Sequence, residues 1–278
     1  MKTINTLKKV SLATFLTFVL SFSSVFAQND TMYIMKSGAI VGQYNVNTEV
    51  DSVIFYKPTI EETTTGTFTD ARDGNQYNWV KIGDQIWMAE NLAYLPSVNM
   101  VADGSEDAAG SYYYVYGYNG TNVADAKATA NYTTYGVLYN WTAAMDGEAS
   151  STTNPSGIQG VCPTGWHLPS DAEWTELTDY LGGTSVAGGK LKETGTTHWA
   201  SPNTGATNET GFTALPGGDR LDFGGSFARI GDSGSWGSAS EGSLGNDVFS
   251  YVMGSIGDGL YIYGSSKEAG MSVRCVRD

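Results

Sequence analysis

The stretch Cys162-Pro163-Thr164-Gly165-Trp166-His167-Leu168-Pro169-Ser170-Asp171-Ala172-Glu173-Trp174 limits what this chain can fold into more than any other, because a crosslinking residue, an aromatic turn and a helix start follow one another. Ser170 lies three positions before Glu173. Its hydroxyl can accept from the Glu173 N–H while the glutamate reaches back to the Ser170 N–H, a reciprocal cap. Trp174, Leu177, Thr178 and Leu181 then recur on one helical face, and Gly182-Gly183 supplies the left-handed residue on which helices stop. The spacing predicts a helix over 171–181. Pro169 falls outside its first turn, and Pro163 keeps the preceding strand end extended.

Cys162 and Cys275 are the only cysteines, 113 positions apart. Residues 1–27 read as a secretory signal: Lys2, Lys8 and Lys9, an apolar run from Val10 to Phe22, and a small-residue cleavage site at Val25-Phe26-Ala27. The mature chain is expected to start near Gln28. In an oxidising compartment a lone cysteine pair forms one disulfide, and a loop of that length stabilises the fold by roughly 4–5 kcal/mol in the chain-entropy description. No cysteine follows the cleavage site to carry a lipid, and no later segment has the roughly 18 apolar residues of a membrane span. A secreted or cell-surface protein is expected, not an integral membrane one.

The formal charge is −14; without Lys2, Lys8 and Lys9 the balance is 12 basic against 29 acidic residues, or −17. Such an excess repels nucleic acid and anionic lipid, and suits cations or neutral ligands; it also keeps a chain in solution.

Short strands are expected at 32–34, 39–44 and 53–56, forming a small β element over 28–57 that acts as spacer or dock. The Pro- and Thr-rich stretch 58–67 has no apolar periodicity and reads as a linker. The main domain is expected over 68–278. It begins with strands at 77–82 and 85–88 joined by Gly83-Asp84, a two-residue hairpin turn with glycine first. Tyr112, Tyr113, Tyr114, Tyr116 and Tyr118 follow a polar insertion and cannot all point inward from one strand. Leu138, Trp141 and Met145 fall on one stripe and predict a second short helix over 135–145. Beyond the 171–181 helix the chain is glycine-rich, with strands expected at 212–215, 227–230, 235–238, 249–253, 260–263 and 273–276.

Six ordered motifs carry a resemblance: Asp70-x-Arg72-Asp73-Gly74-x-x-Tyr77, Ile82-Gly83-x-Gln85-x-Trp87-Met88-Ala89-Glu90-Asn91-Leu92, Tyr135-Gly136-x-Leu138-Tyr139-x-Trp141, Cys162-Pro163-x-Gly165-Trp166-His167-Leu168-Pro169, Gly211-Phe212-x-Ala214-Leu215-Pro216-Gly217-Gly218, and Ser272-Val273-Arg274-Cys275-Val276-Arg277-Asp278. Over about 66–278 the chain resembles the Fibrobacter succinogenes major paralogous domain, found in exported proteins of Fibrobacter- and Bacteroidetes-type bacteria, and the resemblance carries no established activity. More distantly, the Leu168–Trp174 helix start and the closing Val273–Val276 look like the formylglycine-generating-enzyme branch of C-type-lectin-like folds. This implies an α+β domain of two short helices, short antiparallel strands and long loops, whose first and last strands meet. The reactive cysteine pair of those oxidases is not matched.

The chemistry in the sequence favours binding over catalysis. His167 and His198 are the only histidines, so a multi-histidine zinc site is excluded, and no Gly-x-Ser-x-Gly elbow is present. His167 is expected to pack beside Trp166 or bond a backbone carbonyl. Asp171 and Glu173 are explained as cap and dipole partners. Calcium is the one cofactor to which the loops lend themselves, with Asp219, Asp222 and Asp247, and further Asp232, Asn246 and Asp258, as oxygen donors, though without EF-hand spacing. Trp236, Tyr251, Tyr261 and Tyr263 lie among Gly, Ser, Asn and Asp. Such rings either stack on sugar faces or fill a core short of Leu and Ile. Asp219, Arg220 and Asn246 complete the candidate ligand contacts. The expectation is an exported, non-catalytic binding or adhesion module for a polysaccharide or surface protein. The alternative is a subunit of a surface fibre joined through the Tyr112–Tyr118 cluster; an oxidase or hydrolase is disfavoured. Oligomeric state is left open.

Overall fold

A computed structural model describes residues 31–36, 38–49, 64–242 and 244–278. The signal segment, the 53–56 strand and most of the linker lie outside the described residues. The chain divides into two compact units, 1–61 and 62–278. In the first, β1 (Thr31–Lys36) and β2 (Ala39–Asn45) form an antiparallel pair with a register shift between Ile34 and Met35.

The second unit opens with β3 (Thr65–Thr69), β4 (Gln76–Ile82) and β5 (Gln85–Met88), so regular structure begins within the stretch expected as linker. Gly83, at φ +62°, turns β4 into β5 as its position in the hairpin requires. There follow β6 (Tyr113–Tyr114), α1 (Val123–Lys127), α2 (Ala130–Tyr135), β7 (Leu138–Tyr139), α3 (Trp141–Met145) and β8 (Trp166–His167). The chain continues with α4 (Asp171–Tyr180), α5 (Thr184–Leu191), β9 (Asp219–Arg220), β10 (Phe227–Ala228), β11 (Ser233–Glu241), β12 (Asp247–Gly254), β13 (Leu260–Ser266), β14 (Met271–Ser272) and β15 (Val276–Arg277). The architecture is α+β. One sheet runs β3-β4-β5-β15-β8 and a larger one β13-β12-β11-β14-β7-β6, with β9 and β10 as a separate antiparallel pair.

The organising stretch folds as its residues dictate. Ser170 Oγ accepts from Glu173 N at 3.3 Å and Glu173 Oε2 accepts from Ser170 N at 3.0 Å. The helix so capped, α4, ends at Gly182-Gly183, where Gly183 N donates to Thr178 O. Cys162 and Cys275 are bonded with their Cα atoms 6.0 Å apart. The last strand returns beside them: β15 pairs Val276 with Trp87 of β5 and with His167 of β8, and Arg277 with Trp166. One core gathers around this crosslink with Tyr77, Met88, Leu92, Tyr139 and Trp166. A second gathers Trp87, Trp174, Trp199, Phe212, Trp236 and Tyr251 beneath α4 and α5.

Five helices stand among the described residues where two were expected. The 135–145 helix is two elements: Leu138 and Tyr139 pair with Ser272 and Met271 as strand, and Asn140 Oδ1 accepts from Ala143 N to start a separate helix. The apolar stripe is real, but the Asn140 cap and the β14 edge win over it. Helix α5 contains Gly188-Gly189, poor helix formers. They are there because a Cβ on Gly188 would lie 2.2 Å from Gly259 O, so the helix can approach β13 only through glycine. At 212–215 there is no strand; Ala214 makes a single parallel bridge to Lys192.

Candidate functional site

Strands β11, β12 and β13 lie side by side, and period-2 alternation splits their side chains between two faces. Register places Ser235, Val252 and Tyr261 in one row, and Gly237, Ser250 and Tyr263 in the next. These residues share a face. Trp236, Tyr251 and Met253 point to the opposite face, into the second core.

The first face forms the floor of a groove of about 600 Å³, lined by Ser233, Ser235, Val252, Tyr261 and Tyr263 on the sheet side and Asp219, Asp222 and Arg229 from the β9–β10 segment. This wall can close on the sheet because of Gly218, at φ +66°: a Cβ there would meet Ala228 O at 2.3 Å. Gly218 N donates to Ser233 O at 2.8 Å, setting Asp219 and Ser233 on adjacent backbone segments. Tyr261 and Tyr263 are half exposed, at 50% and 53%, with ring centroids 6.5 Å apart and planes inclined by 29°. Both belong to β13, the sheet's edge strand.

Asp219 is 4% exposed. Its Oδ2 accepts from Arg229 Nη2 and, at 3.4 Å, from Ser235 Oγ. Its Oδ1 has no partner in the chain, nor has Ser233 Oγ. Orphaned buried polar atoms are rare and costly, roughly 1–3 kcal/mol each; the others among the described residues are Trp174 Nε1 and Asn203 Oδ1. Burial pushes the Asp219 carboxyl above its usual range, and contact with Arg229 only partly offsets this.

A larger cleft lies elsewhere, about 950 Å³ along β3 and β4. Several of its polar residues are committed to the fold. Asn91 Oδ1 accepts from Trp236 Nε1 and Arg274 Nε, Asn91 Nδ2 donates to Tyr135 O, and Glu90 accepts from the backbone and side chain of Asn78. Groups already paired gain little from a ligand. The smaller groove is therefore the candidate site.

The groove brings together Asp219, Arg220, Asp222, Tyr261 and Tyr263, but they do not all face a ligand. Arg220 is fully buried, bonding Val101 O, Asp103 O, Ser105 Oγ and Glu268 O; it anchors the 98–110 loop. Trp236 and Tyr251 are fully buried on the other face. Trp236 Nε1 bonds Asn91, and Tyr251 stacks on Trp174 at 4.5 Å and donates to Asp171 Oδ1. They are core, so the reading of these three as ligand contacts is corrected. Asn246 and Asp247 line a neighbouring cleft of about 330 Å³ that shares Asp222 and Ser266 with the groove. Asp219, Asp222 and Asp247 do not gather as a calcium site: among the described residues no three His, Cys, Asp or Glu side chains form a group that could hold a metal ion. Asp219 is taken up by Arg229, and Asp247 Oδ1 accepts from Leu244 N.

Sequence reasoning missed Ser233, Ser235 and Arg229. The alternation Ser233-x-Ser235 opposite Trp236 was available as a signal of a strand with one polar face, whereas the position of Arg229 depends on the turn after β10. His167 sits neither on Trp166 nor on a carbonyl but between two carboxylates, Glu173 Oε1 at 2.6 Å and Asp278 Oδ1 at 2.7 Å. The tyrosine cluster is used within the chain: Tyr114 is buried, Tyr112 Oη donates to Asp107, Tyr113 meets Tyr139 edge-on and Tyr116 packs on Phe227.

These features define an α+β domain, closed by a disulfide, that carries an aromatic and hydroxyl-lined groove on one sheet face. The chain belongs to the Fibrobacter succinogenes major domain family, which it matches over residues 80–277. No curated protein and no solved structure matches it. Among the described residues no helix is long and apolar enough to cross a membrane.

Proposed function

We propose that this is an exported, non-catalytic binding module that recognises a polysaccharide through the groove on β11–β13, and that its domain is a variant of the C-type-lectin-like fold. The observation that carries the binding reading is the pair of half-exposed tyrosines on the floor of a groove whose facing wall brings Asp219, Asp222 and Arg229. A tyrosine ring offers a flat apolar face to a pyranose, and the polar wall offers partners to its hydroxyls. The junction of β5, β15 and β8, where the end of the domain returns to its start, supports the fold. The disulfide supports export.

The chemistry-bearing residues support a role without turnover. Both cysteine sulfurs are in the disulfide, His167 is held between Glu173 and Asp278, and His198 Nδ1 bonds Glu193 at 2.9 Å. The test is a screen of immobilised polysaccharides with and without chelator. Binding that survives chelator and falls at least tenfold in Tyr261→Ala and Tyr263→Ala, with thermal midpoints within about 2 °C of wild type, is expected for exposed residues. Absence of glycan binding together with concentration-dependent oligomers would favour the subunit of a surface assembly. Binding lost to chelator would return calcium to the site.

A further inference from the structure

Strand β13 ends the six-stranded sheet, and among the described residues no other strand pairs with its outer side. A strand so placed offers a row of unpaired N–H and C=O groups to any other chain, and proteins usually blunt such an edge with a charge, a proline, a bulge or a very short run. The opposite edge, β6, is two residues long. Strand β13 carries none of these devices. Its seven residues, Leu260-Tyr261-Ile262-Tyr263-Gly264-Ser265-Ser266, include no charged side chain and no proline, its register with β12 has no shift, and Tyr261 to Gly264 are all exposed.

The register shows which groups are free. Gly242 N donates to Asp247 O and Ser255 N donates to Asp232 O, so Asp247 and Ser255, at the two ends of β12, turn toward β11. Alternation turns Val248, Ser250 and Val252 the other way, to Ser265, Tyr263 and Tyr261 of β13. The backbone groups of Ile262 and Gly264 therefore point outward. Leu260, the next in that series, is buried where α5 packs on the start of β13. The usable edge is then Tyr261 to Ser265, with Tyr263 at its midpoint.

We infer that this edge is where two copies of the chain join, β13 against β13, antiparallel about a twofold axis at Tyr263. In that register Ile262 of each copy exchanges both N–H···O=C bonds with Gly264 of the other, and Tyr263 meets its own counterpart at the close, non-hydrogen-bonded spacing that suits an aromatic pair. Charge selects a second copy as the occupant. A chain of net charge −14 repels itself wherever its acids meet, and this strip brings none of them together. The same neutrality gives a basic partner nothing to pair with, whereas the strip matches its own reverse, ring on ring and Ile262 beside glycine. Opposed residues of neighbouring strands share a face, so the two grooves open on the same side and Tyr261 and Tyr263 of both copies form one row of rings. The pairing itself does not depend on what the groove binds.

The test is sedimentation equilibrium of the full chain over a concentration series, with Tyr263→Lys, Tyr263→Glu, their equimolar mixture, and Ile262→Pro. The expected wild-type mass rises to two copies and stops there, with half-association at roughly 10–100 μM because an interface one strand wide is small. Tyr263→Lys and Tyr263→Glu each set like charges opposite one another and should weaken association at least tenfold, while mixing them should tighten it at least threefold over either alone. Tyr263 is half exposed, so both variants should keep thermal midpoints within about 2 °C of wild type. Ile262→Pro deletes an outward N–H on an edge strand, where proline is tolerated, and should also weaken association at least tenfold. A monomer at every concentration up to about 1 mM, a dimer that ignores the charge variants or Ile262→Pro, a mixture no tighter than its components, or masses that grow beyond two copies would overturn the inference. Each outcome is read from mass, so it stands apart from the glycan screen.

Discussion

The two faces of the β11–β13 sheet carry similar aromatic side chains, yet they have different physical roles. On the core face the polar end of each ring is tied down: Trp236 Nε1 by Asn91 and Tyr251 Oη by Asp171. On the groove face Tyr261 and Tyr263 stand half exposed over a wall with two unpaired polar atoms. Ring content alone therefore does not separate core from recognition surface. What separates them is cover: Trp236 and Tyr251 are packed into the second core with Trp174 and Phe212, whereas Tyr261 and Tyr263 stand half exposed on the edge strand.

The comparison can be broken most forcefully at Trp236. Trp236→Ala removes a fully buried ring that packs on Phe212 and leaves Asn91 short of a donor, and it is expected to cost about 3–5 kcal/mol in denaturant unfolding. Tyr261→Ala, on the groove face, should stay within about 0.5 kcal/mol of wild type. Comparable losses from the two would mean that the faces are not functionally distinct.

Proton titration should move the stability of the fold and binding at the groove face with opposite dependence on pH. His167 is desolvated, which lowers its pKa, but Glu173 and Asp278 on its two ring nitrogens outweigh this and raise it. A raised folded-state pKa contributes stability that is complete below the unfolded value, about 6.5, and is lost as pH rises through the folded value. Because Glu173 also caps α4, the domain should melt at lower temperature as pH rises above neutrality, and His167→Gln should flatten that slope. Groove binding should instead weaken on acidification, as Asp219, its pKa raised by burial, takes up a proton and Oδ1 or Oδ2 ceases to accept. Melting curves and binding isotherms over one pH series check both signs.

What could be read in the sequence divides along similar lines. The Ser170–Glu173 cap, the Gly83-Asp84 turn and the return of Cys275 to Cys162 are local or unique pairings, and the residues specify them directly. Helix α5 was not legible, because Gly188 and Gly189 are explained only by Gly259 and Gly205 pressing on them from elsewhere in the fold. The same holds for the site. That Tyr251, Tyr261 and Tyr263 lie on strands was readable, but which of them faces solvent depends on α4 and α5 covering one side of the sheet and leaving β13 at its edge. Asp219 and Arg220 are adjacent in sequence and have opposite uses, since only the neighbouring turn brings Arg229 to the first and only the 98–110 loop surrounds the second.

The smallest expected effect is also the sharpest. Tyr251→Phe and Tyr263→Phe each delete one hydroxyl and keep the ring. The Tyr251 hydroxyl donates to Asp171 Oδ1 at 2.5 Å and is held so firmly that its pKa is driven far up, first by burial and then by Asp171. Its loss leaves an acceptor in the first turn of α4 without its donor and should cost about 1–2 kcal/mol. The Tyr263 ring is 53% exposed on the edge strand, so its hydroxyl can be replaced by water contacts and its loss should cost nothing measurable in stability. If ring stacking is what Tyr263 contributes, Tyr263→Phe should also bind as wild type while Tyr263→Ala does not. A Tyr263→Phe variant that binds as poorly as Tyr263→Ala would transfer the role from the ring face to the hydroxyl, and the groove would then read its ligand by hydrogen bonds alone.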